Sequence, residues 1–215
     1  MMEHMQISTI GVLDVKLQTK ADAALHQFIA SALTVKAAHE IDKNNMVGMM
    51  QLYQPLYAET NDPNDQLFVL KKAQEQFLWY SDVQVGGKYP TYKLKEYERN
   101  GIVLSLHEGD EELLENYACD FLSFSCYGSS TFTTHDMGEG AGGNGIHGKR
   151  NKYLEANAWG WETDPQCLRI ALNTLYDRYH KPLFIVENGF GAYDKVDDDG
   201  QVHDTYRIDY LKAHI

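Results

Sequence analysis

Four consecutive apolar residues, Leu183-Phe-Ile-Val186, preceded by Pro182 and ended by Glu187-Asn188-Gly189, constrain the fold more than any other segment of this 215-residue chain. An apolar run without polar alternation predicts a strand covered on both faces, the pattern of a parallel sheet flanked by helices. Such sheets place their chemistry at the carboxyl ends of the strands, and Glu187 stands at that end. A carboxylate there costs desolvation free energy unless it is hydrogen-bonded or used. Glu187 is therefore the first candidate functional residue, with a satisfied structural carboxylate as the alternative reading.

Both flanks of this strand carry helix signals. From Asp164-Pro165 the apolar positions Leu168, Ala171, Leu172, Leu175, Tyr176 and Tyr179 recur at helical spacing, with Asp164 as N-cap and Pro165 at the first helical position. Pro182 disfavours helix for the residue before it and stops this one at His180-Lys181. After a Gly- and Asp-rich turn, Tyr206–Ile215 begins another helix, completing one αβα step.

Upstream, the spacing predicts a helix from Asp22 to about Ile41-Asp42 and a short strand at Met46–Met50. A helix opens at Asn61-Asp-Pro63, followed by a loop over Val83–Pro90 and a polar helix that Gly101 ends. Then come a short acidic helix at Glu111–Asn116, a strand at Cys119–Tyr127 and a long glycine-rich excursion. The N-terminal 20 residues carry weak signals, with Ile10-Gly-Val-Leu13 as a short strand. The expectation is one domain over residues 1–215 with three helix-preceded strands, joined by long connections that build loops. Three strands cannot close a barrel, which needs about eight, so sheet edges are exposed.

Composition excludes several classes. A formal charge of −12 argues against nucleic acid as a partner, because neutralising phosphates needs a basic surface. No stretch approaches the roughly 20 apolar residues of a membrane span, and the N-terminus lacks a basic segment followed by an apolar core, so the expected compartment is the cytoplasm. Cys119, Cys126 and Cys167 are too few for a disulfide framework and read as reduced core thiols.

The segment Pro182-Leu-Phe-Ile-Val-Glu-Asn-Gly-Phe-Gly-Ala-Tyr-Asp194, with Asp199-Gly200, Val202-His-Asp204 and Tyr206–Ile215, closely resembles glycoside hydrolase family 1, and within it the bacterial 6-phospho-β-glucosidases. The resemblance extends through Trp159-Gly-Trp-Glu-Thr-Asp-Pro165, Asp120-Phe-Leu-Ser-Phe-Ser-Cys-Tyr127, Asp82-Val-Gln-Val85 with Tyr89-Pro90, and His26–Lys36. It covers roughly residues 22–215, with residues 1–21 weakly matched. It implies an α/β fold: part of an eight-stranded β/α (TIM) barrel, about half of it, containing the fifth, sixth and seventh strands.

The resemblance also implies roles. Retaining glycosidases use two carboxyl groups about 5 Å apart, one attacking the anomeric carbon and one protonating the leaving oxygen. Glu187 matches the nucleophile, Tyr127 the tyrosine that hydrogen-bonds it, and Trp161 an aromatic lining the leaving-group side, where a ring face stacks on a sugar. The family's acid/base glutamate follows an asparagine, and no Asn-Glu dipeptide occurs in this chain. The serine, lysine and tyrosine that anchor a 6-phosphate lie after the eighth strand, beyond the part matched here. Cys126 replaces a usual tyrosine and puts the positioning of Tyr127 in question, Ser123 replaces a usual glycine, and Ser125 stands where β-glucosidases have asparagine.

Three motifs are set aside. Gly138-Glu-Gly-Ala-Gly-Gly143 spells a dinucleotide pattern, yet no apolar strand runs into it and no helix opens from it, so an active-site loop is the reading. Lys195–Tyr206 fails as a calcium loop at its first and twelfth positions, and the nine histidines show no H-E-x-x-H spacing. No metal and no cofactor are expected. The expected ligand is a small phosphorylated β-glucoside, hydrolysed to glucose 6-phosphate and an alcohol or sugar. Three alternatives stay open: a β-glucosidase, a 6-phospho-β-galactosidase, or an inactive remnant that persists as an unstable fragment or associates with the missing barrel half; the expected protein partner is a second copy of the chain or that missing half.

Overall fold

A computed structural model describes residues 15–143 and 146–215. The strand expected at Ile10–Leu13 lies outside them. The elements in chain order are α1 (Leu17–Ile41), β1 (Gly48–Leu52), β2 (Leu56–Ala58), α2 (Pro63–Ala73), a π-helical turn (Gln74–Leu78), α3 (Trp79–Gln84), α4 (Thr91–Arg99), α5 (Asp110–Asn116) and β3 (Phe121–Ser125). There follow β4 (Ser130–Phe132), β5 (Gly140–Gly143), β6 (Ile146–Lys149), β7 (Glu155–Ala156), β8 (Glu162–Thr163), α6 (Cys167–Tyr179), β9 (Leu183–Glu187) and α7 (Thr205–His214).

The three strands expected from the sequence form one sheet in the order β1-β3-β9. Asp120 N donates to Val47 O and Tyr53 N to Ser125 O, while Leu122 N donates to Pro182 O and Cys126 N to Glu187 O. In each pair the bonds advance in the same sense along both strands, which makes the sheet parallel. The expectation that β9 is covered on both faces is corrected. Phe184 is 58% exposed, Val186 38% and Glu187 exposed, because among the described residues β9 is an edge strand with β3 as its sole neighbour. Apolar patterning reports what a strand is suited to bury, not whether the covering element is present.

The described residues divide into two compact units, one comprising residues 15–50, Gln74–Ser123 and Tyr179–Phe184, the other Gln51–Ala73, Phe124–Arg178 and Ile185–Ile215. In the first, the helical spacing of Ala24, Phe28 and Ala32 lays one face of α1 against Trp79, Tyr80 and Val83 of α3 and Leu114 of α5. Phe28 meets the Trp79 ring edge-on at 5.3 Å, a favoured aromatic geometry. Helix α1 begins at Leu17, five residues before the expected Asp22, and the helix opened at Pro63 continues through the π turn to Gln84, running into the segment expected as a loop from Val83.

In the second unit, a four-stranded sheet in the order β2-β4-β6-β5 carries the glycine-rich excursion. Within the expected loop at Gly138–Gly143, residues Gly140–Gly143 are instead a strand of a β-hairpin, with Gly140 opposite Lys149 and Gly143 opposite Ile146. A Cβ at Gly148 would lie 2.4 Å from Thr131 O, so glycine lets β6 close on β4. Asp65 of α2 is fully buried and locks this sheet to the helix. It accepts hydrogen bonds from the Thr60 hydroxyl (2.7 Å), the Thr133 hydroxyl (3.0 Å) and both the N–H (2.6 Å) and hydroxyl (2.7 Å) of Thr134. Burial alone would raise its pKa, but these donors hold the carboxyl well below the usual range. Asp164 accepts the Gln166 N–H (3.0 Å) and the Tyr57 hydroxyl (2.7 Å) at the start of α6. That helix ends at Tyr179, followed by His180 at φ 50°, the left-handed turn common after a helix.

Candidate active site

The alternation of side chains along a strand builds the site. Ser125 closes β3 and Tyr127 lies two residues on, so both face the same side, while Cys126 between them faces the other. The backbone bond from Cys126 N to Glu187 O (3.0 Å) holds the ends of β3 and β9 level. The Ser125 hydroxyl then donates to Glu187 Oε2 at 2.6 Å and the Tyr127 hydroxyl donates to the same oxygen at 2.7 Å. Among the described residues no group is bonded to Oε1.

These contacts set the charge states. Hydrogen bonds from Ser125 and Tyr127 hold the Glu187 carboxyl below its ordinary range, keeping it ionised. The hydrogen bond to Glu187 pushes the Tyr127 phenol up to about 12, so it remains a donor at neutral pH. An ionised carboxylate with one oxygen fixed and the other open suits attack on an electrophilic carbon.

Cys126 leaves Tyr127 in hydrogen-bonding position. Its sulfur is buried against Cys167 of α6 at 3.8 Å, and Cys119, Cys126 and Cys167 are all free and buried. The backbone is braced as well: from α7 the Tyr210 hydroxyl donates to Tyr127 O at 3.1 Å, and just beyond β9 Asn188 Nδ2 donates to Cys126 O at 2.7 Å.

Trp161 stands edge-on to Tyr127, with ring centroids 5.9 Å apart, and Trp159 stands edge-on to Trp161 at 5.5 Å. Both sit in the loop joining β7 to β8, where the Asn157 side-chain oxygen accepts the N–H groups of Trp159 (2.9 Å) and Trp161 (3.1 Å). Gly191 makes room for this wall, since a Cβ there would lie 2.5 Å from the Trp159 ring. Glu187, Tyr127 and Trp161, the three residues selected from the sequence, thus come together. Sequence reasoning missed three others. Ser125 stands out in the sequence only as a substitution, although its spacing of two from Tyr127 places it on the same strand face. Trp159 and Tyr210 carried none beyond being aromatic.

The sequence profile of the Glycosyl hydrolase family 1 matches residues 13–215. The chain is 48% identical over 202 residues to an aryl-phospho-β-D-glucosidase (BglH) of Bacillus subtilis, covering 93% of this chain and 43% of that protein. It is 46% identical over 195 residues to a 6-phospho-β-glucosidase of Clostridium longisporum, covering 88% and 41% respectively. Among solved structures it resembles a psychrophilic β-glucosidase of Micrococcus antarcticus, with a TM-score of 0.76 at 24% identity over 92% of this chain and 45% of that one. The chain therefore spans about two-fifths of the length of the curated relatives it matches, and its fold is that of part of a β/α barrel.

Proposed function

Because the chain belongs to glycosyl hydrolase family 1, we propose that it carries the nucleophile side of a retaining glycosidase site acting on 6-phospho-β-D-glucosides. The observation that carries this reading is the Glu187 carboxylate, with Oε2 held by Ser125 and Tyr127 and Oε1 open. In this reading Oε1 attacks the anomeric carbon, the aglycone leaves, and water releases glucose 6-phosphate from the glycosyl-enzyme. Tyr127 and Ser125 fix the carboxylate, and Trp161 presents a ring beside the leaving group. The preference for a phosphorylated glucoside rests on the names of the relatives, since the residues near Glu187 do not themselves select a phosphate. Residues 1–215 belong to one barrel domain in this reading, and the protein works in the cytoplasm. Among the described residues no helix is long and apolar enough to cross a membrane.

Since no Asn-Glu dipeptide occurs in this chain, the 215 residues alone lack the proton donor, which contributes roughly 10²–10⁴-fold. The test is hydrolysis of 4-nitrophenyl and methyl 6-phospho-β-glucosides by the purified chain. The expected result is slow release of nitrophenol, whose departure needs little protonation, and none of methanol. Fast release of methanol contradicts the reading.

A further inference from the structure

The second unit holds a cavity of about 470 Å³ that shares no residue with the Glu187 cluster. This volume lies within the roughly 300–1,000 Å³ typical of small-molecule sites. Its wall is formed by β2 and Glu59, by Thr131 of β4, by Gln66 and Val69 of α2 and by the stretch Arg150–Tyr153. From these observations we propose that the cavity is a second binding site for a monosaccharide phosphate.

Charge is the first ground. In a chain of net charge −12, two cations, Arg150 and Lys152, line the cavity. Neither makes an ion pair among the described residues. The one acid in the wall, Glu59, is already engaged by Lys149 at 2.8 Å. Glu162 acts on Arg150 only at longer range, and its carboxylate accepts the Asn151 N–H at 2.5 Å. An arginine fork and a lysine lining one cavity suit a phosphate, which the fork grips bidentately.

Independent of charge is Thr131 in the same wall. It is 4% exposed, and its buried hydroxyl has no hydrogen-bond partner. A buried polar group left unpaired calls for an explanation, and a hydroxyl-bearing ligand supplies one. Tyr153, 82% exposed with the Lys152 ammonium 4.9 Å from its ring centre, offers an apolar face of the kind on which sugar rings stack. Phosphate grip, a waiting hydroxyl partner and an exposed ring together describe a phosphorylated sugar better than either inorganic phosphate or a neutral sugar.

The proposal does not depend on the function assigned to Glu187. Calorimetric titration of the purified chain with glucose 6-phosphate, glucose and inorganic phosphate tests it. Glucose 6-phosphate binds at least about tenfold more tightly than either of the others, as expected for losing one charged or hydroxyl contact set. The double variant Arg150→Ala/Lys152→Ala loses tenfold or more of the glucose 6-phosphate affinity. Thr131→Val weakens binding severalfold while the melting temperature holds or rises, since a merely structural hydroxyl would leave affinity alone. Equal binding of phosphate or of glucose overturns the proposal. So does binding that disappears in Glu187→Gln but survives in the double variant, and so does the absence of binding.

Discussion

Two carboxylates in the same unit, Asp65 and Glu187, are both held below their ordinary pKa by hydrogen bonds, and they differ in what remains free. Asp65 is fully buried with both oxygens occupied: Thr134 N–H and hydroxyl reach Oδ1, and the Thr60 and Thr133 hydroxyls reach Oδ2. Glu187 is exposed at a strand tip, and both of its donors converge on Oε2. A depressed pKa alone therefore does not mark a catalytic carboxylate. In the reading proposed for Glu187, what sets the reactive carboxylate apart from the structural one is an oxygen left without a hydrogen-bond donor among the described residues, at an exposed strand tip.

The largest effect that could break this comparison is loss of chemistry at Glu187 without loss of fold. Glu187→Gln lowers nitrophenyl glycoside turnover by on the order of 10³-fold or more while thermal unfolding stays within a few degrees. The mirror image is Asp65→Ala, which strips four donors of their acceptor in a closed interior and lowers the melting temperature by roughly 10 °C. Circular-dichroism melts of both variants measure the contrast. A melt of Asp65→Ala that matches the parent chain would remove the structural half of the comparison.

Acid titration sharpens it. The folded-state pKa of Asp65 is depressed, so the stability it confers is fully present above its unfolded value near about 4 and is lost as pH falls toward the folded value. Between about pH 5 and 2 the parent chain loses stability more steeply than Asp65→Ala, as denaturant titrations at stepped pH will show. A smaller effect is expected at Tyr127. Tyr127→Phe removes one of two donors to Oε2, lets the Glu187 pKa rise, and moves the acid limb of the pH–rate profile upward with a loss of about tenfold in rate. Ser125→Ala acts in the same direction by a similar or lesser amount.

The legible and illegible parts of the sequence divide along similar lines. Helix α1 and the sheet strands near residues 48–52, 121–125 and 183–187 are readable from local periodicity, and the Glu187–Tyr127 pairing is what the family resemblance implies. Asp65 could not be recognised as a lock, since two of its partners lie 68 and 69 residues away. The exposure of Phe184 and Val186 was equally hidden, because an apolar run looks the same at a sheet edge as at its centre. The glycines of β5 read as a loop because their lack of side chains disguises a strand whose pairing is set by β6.

The central claim is that Glu187 Oε1 forms a bond to a sugar carbon. A 2-deoxy-2-fluoro 6-phospho-β-glucoside carrying dinitrophenolate needs no proton donor to react and slows hydrolysis of the adduct, so intact-mass and peptide analysis of the treated chain reads the claim directly. The account predicts one added glycosyl mass located on Glu187, absent from Glu187→Gln. Labelling at another residue, or a folded chain that remains unlabelled, contradicts it.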